Sequence, residues 1–366
     1  MNKDKIAIAL ESVEGRALLG IDGMIDEVWE VIDRRMGPGE YTMMTKMMDF
    51  GTAITGRGTG GLAKERLFKR RASGGFTCNT GRAVATLGLD TTMLGMFGQG
   101  NPDPAFGEFA GLSRLVSVGE PARLHILEFA DGKIMMPNLD ELINLTWDTL
   151  VQKLGEAQLL ELCNADILGV GYWSNMYDFD TIMTNLVAYC RKGGITKRIF
   201  HDFANLNKRT PQALTEALKT LARLNPHMPQ TLSLNEHEGG ILARQLGIAY
   251  PEAANRKDTA EQVLAAAIAI RASTGLDEVI IHTSHYAVLA TATQGAATVA
   301  QNYCEKPVKT TGAGDTFNGG YMVAALTELP PTQRLTVANM VTLYYVTNGT
   351  PPTREQLVEM LRSSTI

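Results

Sequence analysis

The chain has 366 residues, of which 45% are hydrophobic and 20% are charged, and its formal net charge is −5. This length accommodates one large domain or two ordinary ones, and the apolar fraction is sufficient for a well-packed core. Because the charge is negative and no long basic block occurs, we do not expect nucleic acid as a partner.

The cysteines and the apolar segments set further limits. The four cysteines are scattered and lack CxxC or CxxH spacing, which argues against a disulfide framework or a zinc site. Residues 6–10 are apolar, but Glu11 ends the run before it reaches the length of a signal peptide. No stretch approaches the roughly 20 apolar residues that span a bilayer. We therefore expect a cytoplasmic globular protein without a membrane partner.

The first predicted strand covers residues 17–21, and two acidic residues follow it. Asp22 and Asp26 lie just past its end. Ligands in open α/β sheets bind at the carboxyl ends of strands, so both acids are candidates for a binding site. The alternative interpretation is that they are solvated loop acids.

Residues 36–73 differ in character, since they are rich in Gly, Thr and Met and show little regular periodicity. The apolar residues Tyr41, Met43 and Phe50 are suited either to cover a ligand or to face a partner subunit in a homodimer. The basic run at residues 64–71 is interpreted as a solvated face. Over a binding site, its Lys and Arg side chains would instead meet a phosphorylated substrate.

A first glycine motif lies at residues 71–88, which pair a Gly74-Gly75 turn with a helix that contains Asn79. A strand is predicted at residues 91–96, and the following loop holds Asp103, to which we assign a turn role. Residues 125–134 read as a hairpin with a glycine turn.

From residue 141 onward, helices and strands alternate. Helices are predicted at 147–162, 178–192, 211–224 and 261–273, and strands at 166–171, 198–202, 231–235 and 278–282. This alternation is typical of βαβ units and a parallel sheet, which places the chain in the α/β class.

Polar residues follow three of these strands. Asn235 and Glu238 open a helix, and one carboxylate is sufficient for Mg²⁺, which keeps most of its waters. The alternative is an ordinary helix start with acids in its first turn. Thr283 and His285 follow another strand. Asp202 follows the third, with several polar residues shortly after it, and no member of that group is assigned a role.

A second glycine motif lies at residues 308–317, where Gly312, Ala313 and Gly314 precede Asp315 and a helical pattern. The glycines let the backbone turn tightly and bring N–H groups close to a ligand, and the positive end of the helix adds to that field. Asp315 at the rim is suited to take a proton from a hydroxyl beside a bound phosphate. The alternative is a loop with an N-cap.

The two glycine motifs, in this order, resemble those of the ribokinase-like (PfkB-type) carbohydrate kinase family over about residues 18–361. The resemblance implies a single domain, residues 1–366, with a ribokinase-like three-layer α/β/α sandwich. A small β-strand lid formed by about residues 36–73 and 123–137 is also implied. ATP and Mg²⁺ are the implied cofactors, and a small-molecule sugar, free or already phosphorylated, is the implied acceptor.

The resemblance also implies roles for individual residues. Asp315 accepts the hydroxyl proton, and the N–H groups of Gly312, Ala313 and Gly314 stabilise charge on the transferred phosphoryl group. Glu238 organises Mg²⁺. The remaining candidates are Asp26, Gly74, Gly75 and Asn79 for the acceptor and Asn235, Thr283, Thr311, Gly312, Gly314 and Gly349 for the nucleotide.

Two departures from the family pattern, at His285 and Lys309, and one ambiguous match, at Gly349, leave alternatives open. His285 stands where ATP-using members usually have Gly, and ADP-dependent sugar kinases can carry a His-Thr pair at this place. Those enzymes are generally longer, so we retain ATP as the donor. Gly349 belongs to a segment that also reads as an ordinary helix-ending turn. Lys309 replaces an acid that, in a number of relatives, helps to hold a monovalent cation.

Other functions also remain open at this point. The same fold phosphorylates nucleosides and vitamin precursors, and a non-catalytic sugar- or nucleotide-binding regulator is a further alternative. The presence of Asp315 with both glycines argues against the regulator, because a binding protein needs the anion turn but not the base.

Overall fold

The structure is a computed structural model that describes residues 3–193 and 198–363. The outermost residues of the predicted domain therefore lie outside the described residues. The strands are β1 (Arg16–Gly20), β2 (Met24–Gly37), β3 (Glu40–Met43), β4 (Arg66–Gly74), β5 (Asp90–Gly95), β6 (Arg114–Ser117), β7 (Ala122–Phe129), β8 (Gly132–Asn138), β9 (Ile167–Gly171), β10 (Arg198–Asp202), β11 (Gln230–Asn235), β12 (Glu278–His282), β13 (Tyr286–Thr291) and β14 (Ala296–Ala300).

The helices follow the predicted alternation closely. They are α1 (Lys3–Ser12), α2 (Met47–Thr55), α3 (Phe76–Thr86), α4 (Asp140–Ile143), α5 (Trp147–Cys163), α6 (Phe179–Lys192), α7 (Pro211–Leu224), α8 (Glu236–Gln245), α9 (Ala260–Thr274), α10 (Ala313–Ala324), α11 (Pro331–Asn348) and α12 (Arg354–Ser363). Their ends have local causes. Thr210 caps α7 by accepting a hydrogen bond from the Ala213 N–H at 3.2 Å, and Gly275 ends α9 in the left-handed conformation with φ 68°.

Nine strands of the described chain form the larger sheet, in the order β14-β13-β12-β11-β10-β9-β1-β5-β6. Neighbours are parallel from β12 across to β6, whereas β13 and β14 continue the sheet antiparallel. The carboxyl ends of β1, β9, β10, β11 and β12 therefore lie along one edge. Ligands bind at this edge in open α/β sheets.

Helices cover both faces of this sheet. One buried apolar cluster joins one face of the strands to α5, α6, α7, α8 and α9, and a second cluster joins the other face to α1, α3, α10, α11 and α12. The predicted three-layer α/β/α sandwich is thereby confirmed. In the part of the chain that the structure describes, no helix is both long and apolar enough to cross a bilayer.

A second, smaller sheet has the order β3-β2-β7-β8, with β4 paired to β2. The predicted lid segments supply β3 and most of β4, β7 and β8, but the sheet begins earlier, at Met24. Asp26 consequently lies within β2, opposite Ala72, and not in a loop. Exposed apolar side chains on this sheet include Tyr41, Leu67 and Phe68. That the sheet closes over a sugar or faces a partner subunit stays a prediction.

Helices α3 and α10 approach each other closely at a glycine. A Cβ at Gly319 would lie 2.6 Å from the Ala83 Cβ and 3.0 Å from the Thr80 carbonyl oxygen. The Thr80 hydroxyl donates to the Asp315 carbonyl oxygen at 3.1 Å. This contact brings the two glycine motifs together, although they are far apart in the sequence.

We predict that Gly319→Ala lowers the free energy of unfolding by about 1–3 kcal/mol, because the new methyl group overpacks the α3–α10 contact. Urea unfolding measures the change. Gly51→Ala in α2 is the matched control, since no atom lies within 4 Å of its added Cβ, and it should be neutral or stabilising. Adding Ala83→Gly to Gly319→Ala should restore part of the lost stability, because it removes the methyl group that the new Cβ meets. Equal stability of Gly319→Ala and Gly51→Ala would contradict the predicted contact.

Candidate active site

The turn before α10 has the geometry that its glycines predict. Gly312 caps α10 with φ 84°, and a Cβ added at this position would lie 2.9 Å from the Tyr345 hydroxyl oxygen. That hydroxyl donates to the Thr311 carbonyl oxygen at 2.6 Å, which fixes the turn against α11. The first N–H groups of a helix lack intrahelical partners, although the Ala313 N–H donates to the Thr310 carbonyl oxygen at 3.1 Å. The turn is thus suited to bind an anion.

Asp315 lies in the first turn of α10 and is only 7% exposed. The Tyr172 hydroxyl donates to its carboxylate, at 2.8 Å from Oδ1 and 3.0 Å from Oδ2, and the Asn79 amide donates to Oδ2 at 2.9 Å. Tyr172 follows the carboxyl end of β9, and Asn79 lies in α3. Two separate parts of the chain therefore orient a carboxylate that belongs to a third, α10.

Burial and hydrogen bonding change the pKa of Asp315 in opposite directions. Burial raises the pKa of Asp315, the hydrogen bonds from Asn79 and Tyr172 lower it, and the result is about 6. Its carboxylate is therefore mostly ionised at neutral pH but holds a proton more readily than an exposed aspartate. A pKa near the working pH is suited to a general base.

Two further buried acids lie in the electrostatic field of Asp315. Burial raises the pKa of Asp202 well above its ordinary value, and the negative charges of Glu238 and Asp315 raise it further. Burial also raises the pKa of Glu238, to about 7. The Glu238 Oε2 accepts from the Asn235 N–H at 2.9 Å, in a capping box at the start of α8.

Mutual repulsion among these acids makes the edge of the sheet favourable for a cation. Within residues 3–193 and 198–363, no three His, Cys, Asp or Glu side chains lie close enough to hold a metal directly. Mg²⁺ does not need such a cage, because it keeps several waters and uses one or two carboxylates. Glu238, which α8 fixes at this edge, fits that requirement.

The Gly74-Gly75 turn lies against two acids. A Cβ at Gly74 would lie 2.7 Å from the Asp26 Oδ1, and one at Gly75, where φ is 87°, would lie 2.5 Å from the Asp22 Oδ2. Asp22 accepts from the N–H groups of Phe76 (2.9 Å) and Thr77 (2.8 Å), and so it satisfies the start of α3. Asp22 is therefore held by the main chain.

Asp26 has a different environment from Asp22. Burial raises the pKa of Asp26 to about 6, against the lowering effect of Lys133, Lys309 and Arg70. The Lys133 ammonium donates to the Thr311 hydroxyl oxygen at 2.7 Å, which links β8 to the anion turn. Lys133 therefore acts on the Asp26 carboxylate and also contacts the residue that precedes the anion turn.

Three of the predicted nucleotide residues, Asn235, Thr283 and Gly349, make local contacts. Asn235 caps α8, and Gly349 ends α11 with φ 82°. The Thr283 hydroxyl donates to the Tyr286 carbonyl oxygen at 3.0 Å. Among the described residues, no hydrogen bond joins these three to the anion turn. Their roles in nucleotide binding stay predictions.

His282 at the end of β12 and His285 just after that strand have different environments. His282 stacks on Phe317 at 4.7 Å between ring centroids and would lie 3.2 Å from a Cβ on Gly314. Burial lowers the pKa of His282 to about 4, so the ring is neutral at physiological pH. His285 instead stacks on the exposed Tyr303 at 4.6 Å. The departure from the family's glycine is thus accommodated by an aromatic pair.

Sequence reasoning missed Tyr172, Lys133 and Arg82 as residues that contact site groups. For Tyr172 a signal existed, because it follows a predicted strand at the same sheet edge as the other candidates. For Arg82 the signal was local, because it lies three residues after Asn79 in the same helix. No comparable signal existed for Lys133, whose side chain reaches Thr311 through the tertiary fold.

Comparisons with known proteins agree with this geometry. A family model for prokaryotic ketohexokinase matches residues 4–363. The ketohexokinase of Haloferax volcanii is 27% identical over 348 residues, which cover 94% of this chain and 90% of the relative.

Solved structures show the same fold at low sequence identity. Arabidopsis thaliana ribokinase complexed with ribose and ATP aligns with a TM-score of 0.64 and 19% identity, over 95% of this chain and 99% of that one. A carbohydrate kinase from Agrobacterium tumefaciens aligns with a TM-score of 0.62 and 15% identity, over 95% and 97% of the two chains. With the match of the family model over nearly the whole chain, the protein belongs to the prokaryotic ketohexokinase family of PfkB-type carbohydrate kinases and is an ATP-dependent sugar kinase.

Proposed function

We propose that the chain transfers the γ-phosphoryl group of ATP to the hydroxymethyl hydroxyl of a ketohexose, with Asp315 as the general base. The observation that carries the proposal is the Asp315 carboxylate. It is buried at the start of α10, oriented by Tyr172 and Asn79, and has a pKa raised to about 6. The sugar class rests on the ketohexokinase family and on the Haloferax volcanii relative.

In the proposed mechanism, the acceptor hydroxyl lies between Asp315 and the anion turn. Asp315 takes the hydroxyl proton as the oxygen bonds to the γ-phosphorus and the bond to the β–γ bridging oxygen breaks. The N–H groups of the Gly312–Gly314 turn stabilise the charge on the transferred group. Phosphoryl transfer depends mostly on positioning and charge neutralisation, and the site supplies both.

Acceptor and metal binding are assigned to the groups around this centre. The acceptor side is assigned to Asp26, Asn79, Gly74 and Gly75. Because glycine has no side chain, the two glycines leave room for the Asp22 and Asp26 carboxylates. Glu238 would hold Mg²⁺ through its water shell, and the metal, when bound, neutralises charge on the ATP phosphates.

One experiment tests the reaction directly. Ketohexoses, aldoses, sugar phosphates and nucleosides are each assayed with Mg²⁺ and either ATP or ADP. The expected result is turnover of ketohexoses with ATP. Turnover of nucleosides or sugar phosphates alone would contradict the acceptor class, and turnover with ADP alone would contradict the donor.

We predict that Asp315→Asn lowers kcat by roughly 10²-fold or more while the sugar affinity changes only a few-fold, because the amide keeps the shape but cannot accept the proton. Steady-state kinetics and equilibrium sugar binding measure the two quantities. Asp258→Asn, an exposed acid paired with Arg256, serves as the control and should behave as the native enzyme. A near-native kcat for Asp315→Asn would remove Asp315 from the mechanism.

We predict that Glu238→Gln raises the Mg²⁺ concentration for half-maximal rate more than it changes the KM for sugar. Gln can still accept from the Asn235 N–H, so the capping box and the start of α8 should persist. Glu236→Gln, two residues earlier in the same helix turn, is the matched control. If both variants keep the native Mg²⁺ dependence, Glu238 is only part of a helix start.

We predict that the rate does not depend on K⁺, because Lys309 supplies a tethered positive charge beside the anion turn. The Lys309 ammonium lies 5.2 Å from the Tyr345 ring centroid, and partial burial and the nearby Arg82 lower its pKa. Lys309→Ala should lower kcat by roughly 10-fold or more. Lys306→Ala, in the same loop and exposed, is the control.

The salt comparison is made at constant ionic strength. Lys309→Asp is expected to gain a dependence on K⁺, since an acid at this position would attract a monovalent cation. Strong stimulation of the native enzyme by K⁺ over Na⁺ would overturn the assignment to Lys309.

A further inference from the structure

Arg82 has no part in the mechanism above, yet it lies one hydrogen bond from a side chain that contacts the base. It is in α3, its side chain is 15% exposed, and its Nη1 donates to the Asn79 Oδ1 at 3.2 Å. Asn79 then donates from Nδ2 to the Asp315 Oδ2 at 2.9 Å. A continuous path of hydrogen bonds therefore joins Arg82 to Asp315.

The direction of this path follows from the chemistry of the three groups. A guanidinium only donates, an ionised carboxylate only accepts, and an amide does each at a different end. The Asn79 oxygen must face Arg82, and the NH₂ group must then face Asp315. Without Arg82, the amide loses the partner that holds its oxygen away from the carboxylate.

Arg82 is itself held firmly. Its Nε and Nη2 donate to the two carboxylate oxygens of Glu108, at 3.0 and 2.7 Å, and Nη2 also donates to the Ser73 hydroxyl oxygen at 2.6 Å. Its guanidinium lies 5.3 Å from the centroid of the Phe109 ring. A bidentate arginine–carboxylate pair fixes the guanidinium plane as well as its position.

We propose that Arg82, held by Glu108 and Ser73, is a positioning residue for the general base. It fixes the Asn79 amide so that its NH₂ group orients Asp315 and favours the ionised form of that carboxylate. The proposal rests on the function proposed above, in which Asp315 takes the proton of the acceptor hydroxyl.

The sign of the effect depends on all groups that face Asp315. Tyr172 at the end of β9 and Asn79 in α3 donate to it, and His282 at the end of β12 is neutral. The acids in its field are Asp22, Asp26, Asp202 and Glu238. Against these acids, Arg82 contributes a positive charge that favours ionised Asp315. Loss of Arg82 therefore makes Asp315 harder to ionise, and the acidic limb of the rate profile should move to higher pH.

The test compares kcat between pH 5 and 9 at saturating sugar, ATP and Mg²⁺. For Arg82→Met we expect kcat at pH 6.5 to fall by roughly 10-fold, with most of the loss recovered at pH 8.5. Arg82→Lys keeps the charge without the fork of donors and should lie between native and Arg82→Met. Arg71→Met, which removes another arginine paired with an acid, Asp103, is the matched control and should leave the acidic limb in place.

Each outcome bears on the proposal. An equal loss at every pH, with the acidic limb unmoved, would mean that Arg82 only supports the fold, and would overturn it. If Arg82→Met does not fold, Arg82→Gln and Arg82→Lys replace it, and both must shift the acidic limb to higher pH. If Asp315→Asn is inactive but Arg82→Met keeps the native pH profile of kcat, the positioning role of Arg82 is overturned and the role of Asp315 as the base is retained. A near-native Asp315→Asn would instead overturn the base assignment together with this inference.

Discussion

The burial of acidic side chains at the carboxyl edge of the sheet is the constraint on which the rest of the site depends. Removing a carboxylate from water is unfavourable unless donors replace the lost hydration. Here the donors come from helix starts and from side chains. Asp22 accepts hydrogen bonds from the first N–H groups of α3, and Glu238 accepts one at the start of α8. Asp315, in the first turn of α10, accepts hydrogen bonds from the Tyr172 and Asn79 side chains. Helices on both faces therefore point their positive ends at this edge.

The glycines of the two motifs follow from the same constraint. At Gly74, Gly75 and Gly312 a side chain would collide with a carboxylate or a hydroxyl of the site. At Gly319 it would push α10 away from α3 and move Asp315 away from Asn79. Close approach requires all four glycines, and at Gly75 and Gly312 the positive φ requires glycine as well. This explains why a glycine pattern in the sequence carries so much information about a site composed mainly of acids.

The parts of the fold that could be predicted from the sequence are those with one dominant local signal. The strands between residues 166 and 282 are buried on both faces, so they read as short apolar runs between helices. The second sheet lacks that signal, because β4 is exposed along most of its length and β2 extends through a region that looks like a loop. Asp315 was predicted from its motif. The hydrogen bonds that Asp315 accepts from Tyr172 and Asn79 could not be predicted, since they depend on which strand ends and helix faces meet.

The acids that suit the site for catalysis also make the folded state less stable at neutral pH. The pKa values of Asp22, Asp26, Glu238 and Asp315 are all raised, to about 6 or 7. An acid with a raised folded pKa binds more protons when folded than when unfolded, so the stability that it contributes falls as the pH rises from about 4 to about 7. The two apolar layers must offset this loss. Because ionisation of each acid disfavours that of its neighbours, a positive charge brought to this edge relieves all of them together.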